Sequence, residues 1–345
     1  MRTFAMIALG LALVAACPAA LAGEPAGGSP AGQQMPTGAA TPTEPPPQAT
    51  IANDAIKLTV YLPDAEKGFY RGARFDWSGM IARAEFGGHT AFAPFRPKGS
   101  PTGHDSAVGP AEEFDLESPP PGYAEAGEGG PFLKIGVGVL LRGKEPKYEF
   151  WRSYAPAETP EWKVARGKDF IEFRQDARSG ARAYRYTKRV ALAGGGPGFT
   201  IAHALRNTGT EPIDSLVYCH NFIILDDGPV GADYRIAFPF DFKVAKSRGP
   251  VEVKGREILL PQELKSSVWM ALEGGTGRTE DHMATVENRR TGAAVRITGD
   301  QPVVEWRFYA EQTGACPEPF IRAAVGPGEE KTWANEYRFT AAGRK

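Results

Sequence analysis

A glutamate stands between two prolines at Cys316-Pro317-Glu318-Pro319, and 98 residues earlier a histidine, His220, interrupts the apolar run Leu216–Leu225. Proline fixes φ and removes a backbone donor, so its neighbours present a carboxylate rigidly. That is what a general base needs, and it is equally what a tight surface turn looks like. A polar ring inside an apolar strand must find hydrogen-bond partners, and a satisfied structural histidine is the ordinary case. Brought together, a carboxylate and an imidazole could take and give a proton on opposite edges of one substrate.

The elements that would have to position them read as strands. Runs with period-two alternation or continuous apolar character include 56–62, 80–86, 133–141, 147–154, 170–175, 183–192, 199–206, 215–225, 251–260, 267–272, 294–298, 303–309 and 332–339. Turn signals separate them, among them Gly194-Gly195-Gly196-Pro197, Asn207-Thr208-Gly209-Thr210 and Gly274-Gly275. No segment shows a capped 3.6-residue period. The expectation is an all-β chain, a large antiparallel β-sandwich. The stretch 118–130, rich in Pro, Gly and Glu, reads as a long surface loop of the kind that borders sites.

Composition bounds the rest. Residues 1–22 read as a signal peptide, with Arg2 ahead of a short apolar core and Ala20-Leu21-Ala22 as the cleavage site. In a second reading, Val14-Ala15-Ala16-Cys17 is a lipobox that leaves a lipid anchor on Cys17. Both place the protein in the periplasm or outside the cell. Residues 23–50 hold almost no large apolar side chain and read as a disordered Pro/Gly-rich linker. Residues 51–345 are expected to form a single β-sandwich domain. The chain carries 40 Lys and Arg against 41 Asp and Glu, so nothing points to nucleic acid or an anionic surface. No later segment is apolar enough to span a bilayer. Only Cys219 and Cys316 follow Cys17, with no CxxC pair, which leaves no zinc-cysteine site. Nucleophile-elbow, P-loop and dinucleotide motifs are missing.

His220 in Cys219-His220-Asn221-Phe222, Glu318 in the Pro-Glu-Pro tripeptide and Gly326-Pro327-Gly328-Glu329 before Trp333 form a series. Asn207-Thr208-Gly209-Thr210-Glu211-Pro212 precedes it. The set resembles the galactose mutarotase (aldose 1-epimerase) superfamily, over roughly residues 183–339. The chain departs from that pattern at Thr210, and at Cys219, where the family has Asn. The resemblance implies a galactose mutarotase-like sandwich in which Glu318 is the base and His220 the acid at a sugar's anomeric centre, with no cofactor or metal. It also implies an arginine and an earlier histidine that grip the ligand: Arg71 or Arg74, and His104. Trp77, between Arg74 and Gly79, is a candidate stacking platform. Glu112 and Glu113 read as surface acids, as do Asp226, Asp227 and Asp233, which could alternatively bind a hard cation. Regular alternation puts Cys316 on the face of Glu318 and turns Cys219 away from His220, so a Cys219–Cys316 disulfide is awkward. The partner implied is a carbohydrate. A non-catalytic carbohydrate-binding protein, or a polysaccharide lyase or glycoside hydrolase on the same fold, are the alternatives.

Overall fold

The computed structural model describes residues 44–341. The expected signal peptide, the Cys17 anchor and the linker up to residue 43 lie outside the described residues. The chain runs through β1 (Gln48–Ala52), β2 (Lys57–Tyr61), β3 (Ile81–Phe86), β4 (His89–Ala91), β5 (Ala111–Phe114), β6 (Pro131–Lys134) and β7 (Gly138–Leu141). It continues with β8 (Lys163–Arg166), β9 (Phe170–Ser179), β10 (Arg182–Leu192), β11 (Gly198–Asn207), β12 (Ile213–His220), β13 (Tyr234–Ala237) and β14 (Phe242–Arg248). Then come β15 (Glu252–Lys254), β16 (Glu257–Leu259), β17 (Val268–Gly274), β18 (Met283–Asn288) and β19 (Ala293–Gly299). The last three are β20 (Glu305–Glu311), β21 (Gly314–Val325) and β22 (Glu330–Ala341). One three-residue 3₁₀ turn, Thr279–Asp281, is the sole helical element among the described residues. No helix among them is long and apolar enough to cross a membrane.

Two antiparallel sheets carry the architecture. The larger has the order β15-β16-β13-β18-β19-β22-β11-β10-β9-β8, the smaller β14-β17-β20-β21-β12-β5. Their inner faces read off the sequence with period two. Tyr184, Tyr186 and Val190 of β10, Phe199, Ile201 and Leu205 of β11, and Trp333, Tyr337 and Phe339 of β22 are all buried. From the smaller sheet, Val217, Trp306, Phe308, Ala310, Ile321 and Ala323 meet them. Burying one such large apolar side chain contributes roughly 1.5–3 kcal/mol, and this shared core holds the sheets face to face. Four N-terminal strands form a separate sheet, β1-β2-β3-β4, packed into the same core.

Four expectations change. The linker expected to reach residue 50 ends sooner, since Gln48, Ala49 and Thr50 already pair with β2 in β1. Residues 147–154 form a loop, not a strand. Tyr148 and Tyr154 stack on one another with centroids 5.6 Å apart, whereas a strand would hold them about 20 Å apart. The runs 133–141 and 251–260 are each split into a hairpin, turning at Gly136 and Gly255, both with positive φ. The Pro317-Glu318-Pro319 tripeptide is not a turn. It lies inside the twelve-residue β21, paired with β20 through both prolines: Phe308↔Pro317, Arg307↔Glu318, Trp306↔Pro319.

Candidate functional site

The site is built on the outer face of the six-stranded sheet. β12 pairs with β21 from Ile213↔Val325 to Tyr218↔Phe320. Pairing resumes five residues further along each chain at Ile223↔Ala315. The register is therefore unchanged, and His220 stands opposite Glu318. Alternation sends both outward, with Tyr218 and Phe320 beside them, while Val217 and Cys219 turn into the sandwich. His220 Nε2 lies 3.2 Å from Glu318 Oε1, and each residue is 4 % exposed. Phe222 stacks on the imidazole at 3.8 Å, and Phe75 meets it edge-on. Burial, with Arg74 and Arg96 nearby, holds His220 well below the usual histidine pKa.

Arg74 is the cation beside this pair. Its Nε donates to Glu113 at 2.7 Å and its Nη2 to the Tyr218 hydroxyl at 2.9 Å. The guanidinium sits between Phe75 and Phe150, 4.5 and 4.4 Å from their ring centroids. Glu113 comes from β5, where Tyr218↔Glu113 and Cys219↔Glu112 are facing pairs. The two glutamates therefore serve opposite sides of the sheet, Glu113 the outer site and Glu112 the interior. Both are buried, which corrects their reading as surface acids. His104 lies on the loop between β4 and β5, half-buried, its ring 6.5 Å from Phe150. Burial and then Arg74 lower its pKa.

Further cations ring the face, each already held by carboxylates. Arg96 pairs with Asp105 and Glu311, and Arg307 with Glu305 and Glu117. Arg307 stands directly opposite Glu318 on the side away from His220. Tyr309 lies 5.7 Å from the His220 ring.

Two candidates from the sequence are not at this pair. Arg71 donates to the Ala65 carbonyl and its own amide to Pro101. Trp77 is a core residue whose indole N–H donates to the Gly72 carbonyl at 2.7 Å. His220 and Glu318 meet, Arg74 lies beside them through Tyr218, and His104 reaches the group only through Phe150, on whose ring Arg74 also packs. Sequence reasoning passed over Tyr218, Phe150, Arg96 and Arg307, and read Glu113 as a surface acid. Tyr218 and Arg307 were within reach, because each sits on the outward parity of a strand already recognised. Glu113 lies on a short strand and Arg96 on a loop without periodic signal, while Phe150 lies in the run 147–154 that reads as a strand. Cys219 and Cys316 are free thiols, Cys219 against Tyr337 in the interior and Cys316 on the outer face. Asp226 accepts from His89 and Thr90, Asp227 pairs with Arg83, and Asp233 with Arg290. Among the described residues no three His, Cys, Asp or Glu side chains converge as metal ligands.

Known structures show the same architecture. A protein of Escherichia coli K12, assigned provisionally as an aldose 1-epimerase, superposes with a TM-score of 0.53 at 16 % identity, over 86 % of this chain and 99 % of its own. The Slr1438 protein of Synechocystis sp. PCC 6803 gives 0.53 at 12 %, over 88 % and 99 %. A galactose mutarotase-like protein of Clostridium acetobutylicum gives 0.51 at 13 %, over 85 % and 95 %. No protein-family profile matches the chain, and no curated protein does. The chain has the galactose mutarotase-like fold, an all-β antiparallel sandwich, and at these identities the likeness concerns the fold alone.

Proposed function

We propose that the protein is an aldose 1-epimerase-like enzyme, interconverting the anomers of a sugar by acid–base chemistry at His220 and Glu318. The observation that carries this reading is their placement at facing positions on one sheet face, 3.2 Å apart. Glu318 takes the proton from the anomeric hydroxyl and His220 gives one to the ring oxygen. The ring opens, the carbonyl turns its other face, and closure with the roles exchanged gives the second anomer. His220 must take up a proton to act as the acid. Its burial favours release of that proton, which makes the charged ring a strong donor. In this reading Arg74, held between two phenyl rings, and His104 are the groups that would hold sugar hydroxyls.

A glycoside hydrolase would need a second carboxylate across from Glu318; the group there is an imidazole. The test is the relaxation of freshly dissolved α-D-glucose and α-D-galactose, followed by polarimetry. Acceleration over buffer that falls at least about a hundredfold in Glu318→Gln is expected, the scale of a lost general base. No acceleration with any common aldose sinks the enzymatic reading. Sugar binding that survives Glu318→Gln would instead assign a carbohydrate-binding protein.

A further inference from the structure

The acid–base pair lies in a gap in the sheet. Between Tyr218↔Phe320 and Ile223↔Ala315, β12 and β21 keep register yet form no ladder pairs. The cause is in the sequence, since Pro317 and Pro319 have no N–H. Their pairing with β20 is intact, so in an antiparallel sheet the missing donors, and the carbonyls of the same residues, face β12. The Pro317 carbonyl would be left unpaired in the interior, where an unsatisfied group costs about 1–3 kcal/mol.

Asn221 fills that gap. It is fully buried and stands opposite Pro317. Its Nδ2 donates to the Pro317 carbonyl at 2.6 Å and to the Cys219 carbonyl at 3.2 Å. These are the peptides immediately before Glu318 and before His220. Its Oδ1 accepts from the Tyr337 hydroxyl at 2.7 Å, and Tyr337 belongs to β22 of the opposite sheet. The next residue, Phe222, holds φ at +41°, a conformation that bulky residues keep only where the surroundings enforce it. It thereby lays its ring on the imidazole.

Resting on the acid–base reading above, we infer that Asn221 is the positioning residue of the site. One side-chain amide replaces the ladder bonds the prolines delete and ties together the backbones that carry His220 and Glu318. Tyr337 anchors that amide to the far sheet. The open ladder leaves the two strands free of direct backbone bonds where a sugar must enter between acid and base, and Asn221 sets how far they part.

Asn221→Asp and Tyr337→Phe test this. Aspartate has the same shape but cannot donate to two carbonyls, and phenylalanine removes only the anchor. In Asn221→Asp, kcat for mutarotation is expected to fall at least about tenfold with KM within about threefold, the signature of misplaced groups. Tyr337→Phe should move kcat the same way by less. Without any substrate, the ¹⁵N resonances and titration of the His220 ring should shift in both variants, while those of His282 stay in place. If the wild type mutarotates nothing, the acid–base reading fails, and the positioning of His220 by Asn221 is judged on the ring resonances alone. Wild-type kcat together with unmoved His220 resonances in either folded variant overturns the inference. Should Asn221→Asp fail to fold, Tyr337→Phe decides it alone.

Discussion

At the residue scale the site depends on charges that are buried but matched. Arg74 and Glu113 are 9 % and 0 % exposed, and such a pair is weak evidence of stability as a pair yet costly to break singly. Arg74→Met leaves Glu113 without its cation and is expected to lose about 3–5 kcal/mol in urea unfolding. Adding Glu113→Gln should restore most of that loss, because the Tyr218 hydroxyl can donate to a neutral amide as it does to the carboxylate. A double variant as unstable as the single one would mean that the stacking of Arg74 between Phe75 and Phe150, not its charge, is what the site needs. His220 and Glu318 were legible in the sequence because each broke a local pattern, an imidazole in an apolar run and a carboxylate between prolines. Arg74 was legible only as one of two arginines. The choice between Arg71 and Arg74 depends on which way a loop backbone turns, and no periodicity encodes that.

At the element scale, alternation gave most strands and failed where something other than burial set the conformation. The Pro-Glu-Pro tripeptide reads as a turn because prolines usually end strands. Here they sit where a strand is meant to go unpaired on one side. The loop 147–154 reads as a strand because four aromatic rings recur in it; instead of alternating, Tyr148 and Tyr154 stack on each other and Phe150 meets Trp151 edge-on. The turn between β11 and β12 is the opposite case, legible because one residue does most of the holding. Asn207 is fully buried. Its amide donates to the carbonyls of Glu211 and Val325, and its Oδ1 accepts from Gly209. It thus ties this turn to the end of β21. Gly209 is required there, since a Cβ would lie 2.4 Å from the Ala181 carbonyl oxygen. Asn207→Ala leaves two carbonyls unpaired and is expected to cost about 2–4 kcal/mol, read by chemical denaturation. The turn lies at the far end of β12 from His220, so mutarotation by the folded fraction should not change. A stability loss under about 0.5 kcal/mol would show that water replaces the amide and that the motif is incidental.

At the scale of the whole molecule, the sandwich encloses ionisable groups whose titration ties folding to pH. Asp76, Glu112, Lys188 and His203 meet between the sheets and are almost fully inaccessible. Lys188 bonds Asp76, Glu112 and the Ser78 carbonyl. Burial opposes its charge, but the two carboxylates outweigh this and raise its pKa. His203 stacks on Trp333 and faces Glu112 at 3.3 Å; burial and then Lys188 hold it well below the usual value. Burial also lowers His220 and His282. A histidine that stays neutral when folded but charges when unfolded makes the unfolded state bind more protons below pH 6.5. Each therefore withdraws up to about 1.4 kcal/mol of stability per pH unit between that point and its own lower folded pKa. Asp115 acts in the opposite sense. Burial raises it to about 7, so between pH 7 and its unfolded value near 3.8 the folded state binds the extra proton and gains stability as the pH falls. Burial raises Glu112 in the same sense. Four histidines, His104 among them, against these two carboxyls give the expected sign, a net loss of stability from pH 6.5 to 5. Urea midpoints at pH 5, 6, 7 and 8 should fall on the acid side, less steeply in His203→Gln and more steeply in Asp115→Asn, which removes one of the compensating groups. Stability that is flat or rising toward pH 5 would mean that water reaches the histidines inside the sandwich, and that the space between the sheets is wetter than its packing implies.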